Sequence, residues 1–229
     1  MSTWEDDHWD WYRDQAETEF IEQSLRNLSI DSARGYLGKH GDAVDARVKA
    51  CLREAHELTA LKRYAPALVS AATAVELMIR FMLVRPLVQG AFLSDEWAAI
   101  LAGRVTNGRT AEDRELLPAI LRQWGVDLGT VKLDDGTTLW ETVVSKVWPK
   151  RNKIVHAGAT ATEAETIASI KAAESLMANV VRVVAASLGF TLDKTGRWSE
   201  IRGTKGIPWR DGYSEWSQSF DPRSPFEEA

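Results

Sequence analysis

The chain offers few side chains for chemistry, and the best of them fall in one run. Its four histidines are His8, His40, His56 and His156, and no two stand at metal-ligand spacing. The single cysteine, Cys51, excludes a disulfide framework and argues against a Cys-based zinc site. There is no P-loop, no GxGxxG turn, no GxSxG elbow and no HExxH pair. What remains is Arg151-Asn152-Lys153-Ile154-Val155-His156, with Ala157 and Gly158 behind it. An imidazole there suits acid–base work near neutral pH. A guanidinium holds and neutralises anionic oxygens with a planar fork of donors. If the run is helical, Asn152 and His156 are four apart and share a face, so the amide is expected to orient the ring. Arg151 and His156 are five apart, about 140° around a helix. They need a shared cleft to act together. Lys150 and Lys153 add positive charge beside them, and no metal or cofactor is expected.

The elements that must position this run read as helices. Val44, Val48, Cys51, Leu52, Ala55 and Leu58 recur at helical spacing over residues 42–62, with Asp42 as the expected N-cap. Cys51 lies in that stripe and reads as a small core residue. Residues 66–84 are apolar nearly all round, which predicts a central buried helix. Its interruption by Glu76 and Arg80 makes it a poor membrane span. These two charges, at i and i+4, are expected to form a structural ion pair, or in a sharper reading to orient a catalytic residue. Helices over 95–103 and 112–124 follow, separated by a polar turn at 106–109. Residues 125–138 are rich in Gly and Asp and read as a loop. A helix over 139–156 carries the Arg–His run, with Pro149 expected to kink or restart it. Gly158 stops it. Thr162 and Glu165 form a capping box that opens a last helix to Leu188. Its apolar face is Ile167, Ile170, Ala173, Leu176, Met177, Val180, Val181 and Val184. No segment alternates with period two except short stretches in the tail.

The fold class is therefore all-α, an up-and-down helical bundle over residues 42–188. Residues 1–41 form an acidic, Trp-rich N-terminal extension with a helix expected over 10–28. Residues 189–229 form an irregular C-terminal extension that could hold a short hairpin. The first residues are acidic and lack the apolar core of a signal peptide, so a cytoplasmic protein is expected. The whole chain carries a net charge of −5. Read in bulk, that argues against a nucleic-acid binder. The distribution says otherwise. Residues 1–22 hold eight acidic residues and one basic one, Arg13, a net of −7. The remaining 207 residues sum to +2, which leaves an RNA cleft open. The opening segment also carries Trp9, Trp11, Tyr12, Phe20 and Ile21, too many aromatics for a purely disordered tail. It is expected to pack on the bundle.

RNKIVHAG ahead of the long helix TEAETIASIKAAESLMANVV resembles the Arg-x(4–6)-His motif of HEPN domains, named for higher eukaryotes and prokaryotes nucleotide-binding. The residue after the Arg is often Asn in that family, and here it is Asn152. The earlier helix AATAVELMIRFML, with Glu76 and Arg80, is similar to the family's AAxAxExxxRxxL pattern. The likeness covers about residues 42–188 and stops short of both ends. It implies a homodimer in which the motif helices of two subunits meet across a two-fold axis. Arg151, His156 and Asn152 would then form a composite active site that cleaves RNA without a metal. Glu76 and Arg80 would support it, and Lys150 and Lys153 would bind RNA. The implied function is an endoribonuclease of toxin or phage-defence type, with an antitoxin or defence-system protein as partner. Two alternatives stay open: a non-catalytic HEPN module that binds a nucleotide or a partner protein, and a structural helical adaptor. HEPN toxins paired with a nucleotidyltransferase antitoxin typically carry Tyr two residues after the His. Gly158 stands there, which weakens that pairing. A second pair at similar spacing, Arg34 and His40, sits among Gly35, Gly38 and Gly41. It is set aside as lying in a glycine-broken stretch.

Overall fold

A computed structural model describes residues 33–86, 100, 103–105, 111–123, 125–192 and 198–200. The expected helix over 10–28, the turn at 106–109 and most of the helix over 95–103 lie outside them. Within the described residues the chain is mostly helical, with a two-stranded sheet at its end.

Helix α1 covers residues 33–60 without interruption. The expected break at Gly35, Gly38 and Gly41 is absent. Tertiary packing overrides the low helix propensity of glycine here. A Cβ on Gly41 would stand 3.3 Å from the Trp198 ring, so the bare backbone is the seat of that indole. Asp42 is not an N-cap. Its Oδ1 accepts from the Trp198 backbone N–H at 2.7 Å. The boundary drawn at 41/42 therefore falls inside one helix, and Ala33, Tyr36 and Leu37 belong to the core.

Helix α2, Tyr64–Leu77, runs on through a π-helical stretch, Met78–Val84. Pro66 sits in its first turn, where a missing N–H costs little. As expected it is the central helix, with Ala67, Leu68, Ala71, Val75, Met78, Ile79, Met82 and Leu83 buried. Tyr64–Val84 is long and apolar enough to cross a membrane by length and composition, but most of it lies inside the bundle. Its alanines allow close approach to the last helix, its main packing partner.

Helix α3 is Ala111–Gln123, within a residue of expectation. The loop over 125–138 is held by Asp side chains that fold back on their own backbone. Gly129 N–H donates to Asp127 Oδ1, and Thr137 N–H to Asp135 Oδ1, each at 2.9 Å. Helix α4 is built from Leu139–Thr142, a π-helical turn, Val143–Val147, and Trp148–Ala157. Its first turns are anchored. Trp140 Nε1 donates to Arg114 O at 2.9 Å, and its ring meets Trp148 edge-on at 5.6 Å. Helix α5 is Glu163–Leu176, a π-helical turn, Met177–Val181, and Arg182–Ser187. Both bonds of the Thr162–Glu165 capping box are formed. Its apolar face is buried as expected except at Ile167, which is exposed.

Strands β1, Phe190–Leu192, and β2, Trp198–Glu200, pair antiparallel as a hairpin. Phe190 and Trp198 enter the main core. The core thus continues past the boundary drawn at 188/189, because Phe190 joins it and the hairpin lays Trp198 on α1.

Candidate functional site

The Arg–His run occupies the second half of α4. Pro149 cannot donate an N–H, and the wider π turn just ahead absorbs the irregularity. Trp148 N–H reaches back five residues to Val143 O, and the helix then continues. It stops at Gly158, whose φ of 63° is a left-handed conformation that glycine adopts without strain. That turn lets Gly158 and Ala159 donate back to the carbonyls of Ile154 and Lys153.

No residue of Trp148–Ala157 is buried. Asn152, Lys153, Val155 and His156 face outward, whereas Lys150, Arg151 and Ile154 lean on the bundle. That division follows from helical rotation: Arg151 and His156 stand about 140° apart within this regular segment. Arg151 points toward α2. Its Nη2 lies 3.7 Å from Glu76 Oε2, while Glu76 Oε1 lies 3.1 Å from Arg80. One carboxylate thus sits between two guanidinium groups, with all three side chains about one-third exposed or less. Glu76 makes the expected structural ion pair with Arg80 along its helix and also meets Arg151 across to α4.

Asn152 does not orient the imidazole. Its Oδ1 accepts from Arg151 Nη1 at 3.0 Å, and no hydrogen bond joins it to His156 among the described residues. Sharing a helix face was not enough, because the nearer guanidinium took the acceptor. His156 is exposed and makes no hydrogen bond or ion pair among the described residues. Lys150 is not presented to a ligand either. Its Nζ lies 2.7 Å from Glu165 Oε1. The Glu165 carboxylate also accepts from Thr162 N–H at 2.8 Å and Thr162 Oγ1 at 3.0 Å. The Lys150 hydrogen bond, and after it the Thr162 amide, pull the Glu165 carboxyl from 4.5 down to about 2. Lys153 is exposed and makes no ion pair among the described residues.

The structure therefore gathers Glu76, Arg80, Arg151 and Asn152 into one cluster and ties Lys150 to the start of α5. It leaves Lys153 and His156 on the outer surface. The role of Glu165 had no sequence signal beyond the capping box, since nothing in the pattern says that its second oxygen reaches Lys150. Among the described residues no group of three His, Cys, Asp or Glu side chains converges to hold a metal.

Arg34 and His40 lie on one helix after all, but they are structural. Arg34 Nε donates to Leu188 O at 2.6 Å, tying α1 to the end of α5. His40 leans on the Tyr36 ring at 4.9 Å, and burial, then Lys39 and Arg85, push its pKa below the usual histidine range. Cys51 is half-buried, and that burial raises its thiol above the usual range, which disfavours a nucleophilic thiolate. A cleft of about 350 Å³ opens where α3 and the 125–138 loop meet the start of α4, lined by Arg114, Arg122, Asp127, Trp140 and Glu141 among others. It contains none of the Arg151–His156 run.

No protein-family model matches the chain, and neither a curated protein nor a solved structure is significantly similar to it.

Proposed function

We propose that this chain is a cytoplasmic, metal-independent endoribonuclease of HEPN type, working as a homodimer in toxin or phage defence. The observation that carries the reading is the orientation of two side chains. His156 faces outward from α4, while Arg151 of the same chain turns inward to Glu76. One chain therefore offers an imidazole without its guanidinium. A second copy meeting α4 face to face would set two His156 side chains in one cleft, and each Arg151 would have to leave Glu76 to join them.

The chemistry follows from the residue types. A neutral His156 takes the proton of a ribose 2′-hydroxyl as that oxygen attacks the adjacent phosphorus. The bond to the 5′-oxygen breaks, and an imidazolium, from the same or the second copy, protonates the leaving oxygen. Arg151 holds the phosphate and offsets the charge that grows in the transition state. The products are a 2′,3′-cyclic phosphate and a 5′-hydroxyl. An antitoxin or defence-system protein would restrain or trigger the cut.

A second reading is a non-catalytic HEPN module that binds a nucleotide or a protein through the same dimer. The ion pair of Arg151 with Glu76 favours it, because a neutralised guanidinium offers less to a transition state. The two are separated by incubating the full-length chain with RNA in EDTA and analysing the new 3′ ends. Cyclic phosphate ends from wild type, absent with His156→Ala, are expected. Nucleotide binding without cleavage would favour the module.

A further inference from the structure

We propose that Glu76 gates Arg151: its carboxylate holds the guanidinium in the resting chain, and a phosphodiester of RNA takes that place by exchange while Arg80 stays on Glu76. This regulation rests on the ribonuclease reading, for which the inward turn of Arg151 is the chief obstacle. Glu76 Oε1 lies 3.1 Å from Arg80 Nη2, within the distance of an N–H···O hydrogen bond. Glu76 Oε2 lies 3.7 Å from Arg151 Nη2, which is beyond it. Arg151 is therefore the looser partner. Lys150, the neighbouring cation, is held at 2.7 Å by a carboxylate that the capping box fixes, and it has no such freedom. The Arg151 side chain is 29% exposed, so a ligand reaches it in the folded chain.

Exchange leaves no charge stranded. A phosphodiester carries one negative charge on two non-bridging oxygens, as a carboxylate does, and the guanidinium fork fits both. When Arg151 turns to the phosphate, Glu76 keeps Arg80, its i,i+4 partner on the same helix, and that pair does not depend on α4. Without Arg80, release would leave a partly buried carboxylate alone, which is strongly unfavourable.

The other donor edge of Arg151 marks the way out. Its Nη1 donates to Asn152 Oδ1 at 3.0 Å. Asn152 faces outward, so the guanidinium is suspended between an inward acid and an outward amide. Rotation of its long stem about the Asn152 contact breaks only the loose contact to Glu76. It carries Nη2 toward the face that Asn152 shares with His156.

The test is a double-mutant cycle on the Kd of a 2′-O-methylated RNA oligomer for the full-length chain. The oligomer offers phosphates and no attacking hydroxyl, so binding is read apart from cleavage. Glu76→Gln removes the charge and keeps an acceptor for Arg80. It is expected to tighten binding about tenfold where Arg151 is present, the size of one charge-assisted hydrogen bond, and by less than about twofold in Arg151→Ala. Equal gains in both backgrounds would show only that Glu76 repels RNA at a distance, and would overturn the proposal, as would no gain. Phenylglyoxal labelling, read by mass spectrometry, needs no RNA. Arg151 should label several times faster in Glu76→Gln, while Arg34, tied to Leu188 O, keeps its wild-type rate. Unchanged labelling of Arg151, or a rise shared by Arg34, would overturn the gate. Cleavage by wild type without these gains would end the gate alone. The gains without cleavage of unmodified RNA would end the ribonuclease reading alone.

Discussion

Two carboxylates restrain the cationic run of α4, Glu76 from behind and Glu165 from the side. Removing Glu76 as Glu76→Ala leaves Arg80 and Arg151 partly buried without their shared acceptor. The expected cost is about 1–3 kcal/mol, measured by urea unfolding. A loss under about 0.5 kcal/mol, the usual range for an uncritical surface change, would mean the two guanidinium groups find other partners. Glu165 gives a pH-dependent test. Its carboxyl is lower in the folded chain, about 2, than its ordinary 4.5. The stability it contributes is therefore complete above pH 4.5 and is lost as pH falls toward 2. Glu165 is partly exposed, so solvent screening keeps the contribution small. Glu165→Gln should flatten the fall in Tm between pH 4.5 and 2, and an unchanged slope would remove this role. At this scale the sequence was half legible. The i,i+4 spacing gave Glu76–Arg80, and the capping box gave Thr162–Glu165. The second partner of each carboxylate, Arg151 or Lys150, comes from another helix and leaves no local pattern. The same limit explains Asn152, which shares a face with His156 yet bonds to Arg151.

Helix ends were the best-read elements, because their signals are local. Gly158 adopts the left-handed cap and Thr162 the N-cap that their residue types prescribe. Thr162→Ala should cost about 1 kcal/mol and Gly158→Ala about 1–2 kcal/mol. Thermal unfolding checks both, and Gly158→Ala should also loosen the last turn of α4 in hydrogen exchange. Protection there equal to wild type would show that the cap does not hold the motif helix. The start of α1 was misread for a long-range reason. Three glycines in seven residues look like a breaker, but Gly41 is the seat of Trp198, more than 150 residues away. Asp42 was likewise read as a cap when its partner is the Trp198 amide. The π-helical stretches in α2, α4 and α5 had no sequence signature at all, since they depend on how the helices cross.

The all-α architecture was legible from hydrophobic periodicity, and the nearly all-apolar α2 is the central helix that its composition requires. The ends of the core were not, because Phe190 and Trp198 join it through a hairpin of three-residue strands. The net charge of −5 belongs to the chain as a sum and hides both a positive helix and a strongly acidic opening segment. Deleting residues 1–22 should raise RNA cleavage or binding, as read by initial rate or by Kd at fixed salt. No change in either would remove the idea that the segment regulates the site. Sedimentation at micromolar concentration should give a dimer, and a strict monomer would leave His156 without an opposing Arg151. The most direct test of the central claim is the initial rate of RNA cleavage in excess EDTA by the full-length chain, His156→Ala and Arg151→Ala. The account predicts cleavage by wild type and a loss of about a hundredfold or more in each variant. No cleavage by wild type, or equal rates in all three proteins, would contradict it.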